Sequence, residues 1–210
     1  MHLQPLVDAL KAEMLTRGVL HADETPVVFD FAEGRGGQHV RGFLGLDTHA
    51  GKDGWRGKLV CDDFSGYKAC FELGVTEVGC LAHARRKFHE LWVNHQSSVG
   101  ERALKFFIQL YDIEREVRDL PPDERKRRRQ EDSRKVADAL HLWLTAQRQK
   151  VPEGSATAKA IDYSLSNWRA LTRYLDDGQV PIDNNAAENA VRPLCGGRKN
   201  WVVVGSQQAG

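Results

Sequence analysis

The stretch Lys58-Leu59-Val60-Cys61-Asp62-Asp63-Phe64-Ser65-Gly66-Tyr67 decides the fold. Leu59, Val60 and Cys61 are consecutive apolar residues, the pattern of a buried strand rather than a half-solvated one. That strand ends in an acid, Asp62. Ser65 to Leu73 then reads as a helix, and Thr76 to Leu81 as a further strand. Strand, helix and strand in succession mark an α/β fold.

Towards the N-terminus, Val19 to Asp23 predicts a short strand that also ends in an acid. Pro26 to Phe31 predicts another, because Val27, Val28, Phe29 and Phe31 suit a pleated, buried surface. Glu33 to Gly37 is a glycine-rich turn, and Asp47 to Gly57 a loop. Met1 to Leu20 reads as an amphipathic helix broken at Gly18, without the charged start and cleavage site of a signal peptide.

Towards the C-terminus the texture changes. From Ala82 to Asp176 no strand pattern survives. Ala103, Phe106, Phe107, Leu110, Ile113, Val117 and Leu120 recur at three- and four-residue steps, one apolar face of a helix. Pro121-Pro122 ends it and Asp123 helps to start the next. Val136, Leu140, Trp143 and Leu144 mark a second stripe; Ile161, Leu165, Trp168, Leu171 and Leu175 mark a third. After Gly178 to Pro181, Ile182-Asp183-Asn184-Asn185 precedes an alanine-rich helix, and Trp201 to Val204 predicts a closing strand. The organisation is therefore an α/β segment (1–81), an all-helical block (82–180), and a closing helix and strand (181–210).

The composition is 41% hydrophobic and 28% charged, that of a globular domain rather than a disordered chain. No apolar run approaches the roughly 20 residues needed to span a bilayer, so no membrane partner and a cytoplasmic location are expected. Cys61, Cys70, Cys80 and Cys195 are irregularly spaced in a chain that does not need disulfide staples, so reduced thiols are expected. A net charge of +1 announces no nucleic-acid binder, and any such contact must come from local clusters. In the run Arg125 to Arg129, neighbouring Asp123, Glu124, Glu131 and Asp132 offset much of the charge, which reads as a solvated helix surface. Trp92, Trp143 and Trp168 fall on apolar stripes and read as core; Trp201, after Lys199-Asn200, is open between packing and DNA contact.

Three acids stand where an α/β sheet displays catalytic groups: Asp23, Asp62 and Glu188. Singly, each has a plainer role as a turn, cap or helix-start residue. Gathered in one place they would repel, unless a divalent cation with oxygen ligands reverses the cost. Two such ions about 4 Å apart suit displacement at a phosphodiester.

The strings His21-Ala22-Asp23-Glu24-Thr25-Pro26, Cys61-Asp62-Asp63-Phe64-Ser65-Gly66-Tyr67, Cys80-Leu81-Ala82-His83-Ala84-Arg85-Arg86-Lys87-Phe88, Ile182-Asp183-Asn184-Asn185-Ala186-Ala187-Glu188 and Gly197-Arg198-Lys199-Asn200-Trp201, in this order, resemble the insertion-sequence-66 family of transposases. The resemblance runs over nearly the whole chain. It implies a ribonuclease H-like mixed sheet flanked by helices. The helical block then lies between Asp62 and Glu188 (188 − 62 = 126 residues) as an insertion before the last catalytic acid. It further implies Asp23, Asp62 and Glu188 as the acids that hold two Mg²⁺ or Mn²⁺ ions, with Asp62 rather than Asp63 keeping the family's spacing to Gly66-Tyr67. The implied activity is DNA cleavage and strand transfer by a DDE-type transposase. Its implied partners are element ends and target DNA, a homo-oligomer formed on DNA, and accessory proteins of the same element. When bound to DNA, the chain would be nucleoid-associated.

Around these acids, Cys80 and His83 form a Cys-x-x-His pair. His83 is expected to approach the scissile phosphate or support an acid, against a structural role for a buried thiol and a capping histidine. A zinc site would need more ligands than this pair. Arg85, Arg86 and Lys87, with Arg198 and Lys199, are the expected phosphate contacts. The chain departs from the family where Thr25-Pro26-Val27 runs almost directly into Val28 to Phe31. That spacing implies an internal deletion that removes one strand beside Asp23. Against the family, the chain is also expected to be a truncated central portion, without the N-terminal region that binds element ends and the usual C-terminal tail. A non-catalytic remnant binding DNA or full-length transposase is the alternative.

Overall fold

In a computed structural model of the protein, the described residues are 4–22, 25–31, 38–44, 54–62, 65–186 and 188–189. The element order is α1 (Gln4–Leu15), β1 (Val19–His21), β2 (Thr25–Phe31), β3 (Gln38–Leu44), β4 (Lys58–Cys61), α2 (Lys68–Glu72), β5 (Thr76–Gly79), α3 (Leu81–His95) and α4 (Ser98–Val117). Then come α5 (Pro122–Arg128), a π-helical stretch (Arg129–Ser133), α6 (Arg134–Arg148), α7 (Ala156–Ser166) and α8 (Trp168–Thr172).

β4 is the middle strand of a parallel sheet ordered β1-β4-β5, with Leu20 opposite Leu59 and Val60 opposite Val78. Its consecutive apolar residues are buried on both sides, as the unbroken run required. Leu59 and Cys61 join a smaller core with Leu20, Ala22, Trp55, Tyr67, Cys70 and Val75. Val60 and Val78 face the other way, into a larger core built by α3, α4, α6 and α7 together with Leu171, Tyr174 and Leu175. The fold is thus mixed α/β and mostly helical. Among the described residues the β2–β3 hairpin forms a separate antiparallel ladder, with Val28 opposite Arg41. Its first strand is the one expected at Pro26 to Phe31. Its second was not anticipated, since Arg41 and Gly42 interrupt any strand-like run there.

The first two helical stripes form as spaced, whereas the third is divided at Asn167 between α7 and α8. Trp92, expected in the core, is 46% exposed. Ala103, Phe107, Leu110 and Val117 line the buried face of α4, and Ala137, Leu140 and Leu144 that of α6. α3 and α4 approach closely because Gly100 has no side chain: a Cβ there would come within 2.8 Å of the Phe88 carbonyl oxygen. Ser97 caps α4 by accepting the Gly100 N–H at 3.2 Å. None of the described helices is long and apolar enough to cross a membrane. The expected closing strand, Trp201 to Val204, lies outside the described residues.

The basic run departs from its expected solvated reading. Arg127 and Arg128 do pair with Glu124, Glu131 and Asp132 at the surface. Arg125 and Arg129, four apart on the other face, turn inward. Arg129 is 1% exposed and makes a two-pronged bond to Glu114, at 2.7 Å for each oxygen. Its remaining donors reach the carbonyls of Tyr174, Asp177 and Val180 at 2.8–2.9 Å. Arg125 likewise serves the carbonyls of Val117, Arg118, Leu120 and Gly178. Net charge in a window cannot reveal which side of a helix a guanidinium occupies.

Candidate active site

In a parallel sheet all strands end on one edge, and residues just beyond those ends are gathered there. Ala22 follows β1, Asp62 follows β4, and Cys80 follows β5 at the residue before α3. One turn into α3 stands His83. The fourth contributor arrives late in the chain. The Leu81 N–H donates to the Ile182 carbonyl at 3.1 Å, which docks the segment after Val180 against the same edge.

The Asp183-Asn184-Asn185 turn then sets the course of Glu188. Asp183 caps it: one carboxylate oxygen accepts the Asn185 N–H at 3.1 Å, and the other accepts Tyr111 Oη–H at 2.9 Å. Burial, then the neighbouring Asp183 charge, hold the Tyr111 phenol well above its ordinary value, so it stays a donor. Asn184 is 1% exposed and fully engaged. Its Nδ2 donates to the Ala22 carbonyl at 2.7 Å, its Oδ1 accepts from His21 Nδ1 at 2.7 Å, and its backbone N–H donates to Cys80 Sγ at 3.2 Å. One residue therefore ties the end of β1, through its side chain, and the start of α3, through its backbone, to the turn before Glu188. The Glu188 N–H returns to the Asn184 carbonyl at 3.1 Å, closing a helical turn.

The result places Glu188 and Asp62 on opposite sides of one imidazole. His83 Nδ1 lies 3.6 Å from Glu188 Oε1, and His83 Nε2 lies 4.0 Å from Asp62 Oδ2. Glu188 Oε2 faces Arg86 at 3.4 Å. Burial pushes the Cys80 thiol up, although the N–H groups of Asn184, His83 and Ala82 act against it.

Of the expected site residues, Asp62, His83 and Glu188 come together. Asp23, Arg198 and Lys199 lie outside the described residues. Arg85 and Arg86 are exposed and line a groove of about 290 Å³ with Ala82, Tyr111, Arg115 and Asn185. Lys87 takes the other side of α3, its Nζ 4.2 Å from the centre of the Tyr163 ring. The sequence reading missed Asn184 as a junction, because Asp-Asn-Asn is already explained as a helix start. It also missed Arg115, whose position beside Arg85 depends on how α4 packs.

A family model described as Transposase IS66 family matches residues 27–210. Its match begins at Val27, four positions after Asp23. "Uncharacterized protein y4hP" of Sinorhizobium fredii (strain NBRC 101917 / NGR234) is 32% identical over 247 residues, which cover 98% of this chain and 45% of that protein. "Uncharacterized protein y4qI" of the same strain is 36% identical over 196 residues, 88% of this chain and 34% of that protein. The chain spans less than half the length of these curated relatives. The first alignment exceeds the 210-residue chain by 247 − 210 = 37 positions, so at least that many positions of the relative fall opposite gaps in this chain. No solved structure matches.

Proposed function

Because the chain belongs to the insertion-sequence-66 transposase family, we propose that it is the catalytic core of a DDE-type DNA transposase with a ribonuclease H-like fold. In this reading the helical block 82–180 is an insertion between the second and third catalytic acids. One observation carries the proposal: Asp62 and Glu188, distant in sequence, flank His83 at the carboxyl edge of a parallel sheet. Asp23 follows directly on Ala22, whose carbonyl Asn184 holds at that same edge.

The residues fit hard divalent cations. Glu188 Oε1 is buried with no hydrogen-bond partner, an oxygen donor in want of a cation, and Asp62 supplies a second carboxylate nearby. Asp23, Asp62 and Glu188 would hold two Mg²⁺ or Mn²⁺ ions, which when bound supply activation of the attacking oxygen and stabilisation of the leaving one. The chain's own groups do the rest. His83 sits between two carboxylates and supports their placement. Arg85 and Arg86 receive DNA phosphates beside the acids, and Arg198 and Lys199 add to them. The reaction is hydrolysis of a phosphodiester to free a 3′-hydroxyl, then attack of that hydroxyl on a target phosphodiester, with no covalent enzyme intermediate. Element ends and target DNA are the substrates, and the assembly on them is a homo-oligomer aided by accessory proteins of the element.

A second reading has its own support. The positions this chain lacks against its relative favour a remnant that binds DNA or full-length transposase without cutting. A cleavage and strand-transfer assay on element-end DNA with Mg²⁺ or Mn²⁺ separates the two. The catalytic reading expects cleavage by the wild-type chain and none by Asp62→Ala or Glu188→Ala at unchanged fold. Cleavage retained by Asp62→Ala removes that residue from the acids, and DNA binding without cleavage by the wild type selects the remnant.

A further inference from the structure

We infer that Cys80, His83 and Glu188 form a binding site for one thiophilic divalent cation of the Zn²⁺ class, which shares Glu188 with the all-oxygen site proposed above and is an alternative way to occupy that carboxylate. Their ligand atoms all lie within 4.8 Å of one another, although Glu188 enters from the far end of the chain. Cys and His alone are too few ligands; folding supplies the third.

Three details of the geometry point to a cation rather than to a hydrogen-bonded cluster. His83 Nδ1 and Glu188 Oε1 are both buried, and neither has a hydrogen-bond partner. They face each other at 3.6 Å, too long for a hydrogen bond. That distance suits two ligands on one tetrahedral ion, where bonds of about 2.1 Å set the ligands about 3.4 Å apart. The sulfur lies beside this pair and accepts the Asn184 N–H at 3.2 Å.

The outer groups are oriented to match. Asp62 lies 4.0 Å from His83 Nε2, on the side of the ring away from Glu188. Arg86 engages Glu188 Oε2 and leaves Oε1 directed at His83. Thiolate and imidazole select Zn²⁺ over Mg²⁺ or Ca²⁺. Three protein ligands leave a fourth position open.

Cobalt(II) is the direct probe, because it reports its ligands optically. The purified, metal-free full chain is titrated with Co²⁺ and then with Zn²⁺. Expected are one Co²⁺ per chain, a sulfur-to-cobalt charge-transfer band, and displacement by equimolar Zn²⁺. Cys80→Ser loses the band, Cys70→Ser keeps it, and His83→Asn and Glu188→Gln weaken Co²⁺ at least about tenfold. Asp62→Asn keeps the band, since Asp62 is not among the three ligands. Should Cys80→Ser misfold, the partly exposed His83 carries the test through His83→Asn. Absence of the band in the wild type, its persistence in folded Cys80→Ser, or unchanged affinity in His83→Asn overturns the site. The inference shares Glu188 with the transposase reading, so the two are tested apart: cutting assayed with Mg²⁺ or Mn²⁺ and no Co²⁺ tests that reading, and the sulfur-to-cobalt band tests this one.

Discussion

Asn184 and His21, 163 residues apart, share a 2.7 Å hydrogen bond beside the last residue before Asp23. Since the Asn184 amide nitrogen is occupied by the Ala22 carbonyl, its oxygen faces His21, and the imidazole must donate from Nδ1. The bond therefore fixes both a tautomer and the spacing between β1 and the Glu188 turn. Asn184→Ala leaves a buried carbonyl and a ring N–H without partners, at about 1–3 kcal/mol each. A fall in melting temperature of several degrees is expected, with loss of metal-dependent cleavage beyond what reduced folding explains. Cleavage at the wild-type rate in the folded fraction would show that Asn184 is only structural.

Arg129 is the most consequential member of the basic run. It is the buried partner of Glu114 and the donor to three carbonyls in the segment that leads to Asp183. Breaking a buried pair costs about 3–5 kcal/mol, because the remaining charge stays uncompensated. Arg129→Met should lower the urea midpoint accordingly. Adding Glu114→Leu should recover only part of that loss, since the carbonyls remain unserved. Full recovery in the double variant would mean those three hydrogen bonds contribute nothing.

How much was legible in the sequence follows from which interactions are local. The buried strand at Leu59 to Cys61 and the stripes of α4 and α6 are written in period and composition, and each appears where expected. The acid after β4 was legible because a strand end locates a residue without reference to the rest of the chain. The Cys80–His83–Glu188 cluster was only half legible: the Cys-x-x-His spacing is local, whereas the approach of Glu188 depends on the Leu81–Ile182 docking contact. Arg129 was misread for a related reason. Its partners lie on other elements, and charge counting assigns every arginine to solvent. The hairpin strand Gln38–Leu44 escaped notice because its pairing with β2, not its own composition, makes it a strand.

Lys58, at the start of β4, bonds Asp177 in the segment before Glu188. Burial raises the Asp177 carboxyl, but the Lys58 bond and the Gln179 N–H outweigh it and hold it below the usual carboxylate range. A depressed folded-state value means the unfolded chain binds the proton more readily. The stabilisation is therefore complete above the unfolded value of about 3.9, and is lost as pH falls through the folded one. Both side chains are partly solvated, so the contribution is held to about 1 kcal/mol. Asp177→Asn should be less stable than wild type at pH 7 and converge with it in strong acid, by urea unfolding at several pH values. A constant difference down to pH 2 would assign the effect to packing.

Arg85 is exposed and, among the described residues, has no ion-pair partner, whereas Arg86 faces Glu188 and Arg115 pairs with Asp112. All three line the groove beside Asn185. A phosphate displaces a counterion for each cation it meets, so each productive contact adds about 0.9 to the slope of log affinity against log salt. Arg85→Ala has no internal pair to release and should flatten that slope by nearly this amount. Arg115→Ala should flatten it less, because Asp112 already neutralises the guanidinium. Lys87→Ala should leave it unchanged, since that ammonium sits over the Tyr163 ring on the opposite side of α3. Salt titrations of DNA binding distinguish these orders. Equal slopes for wild type and Arg85→Ala would place the DNA elsewhere, and a large change in Lys87→Ala would move it to the α3–α7 side.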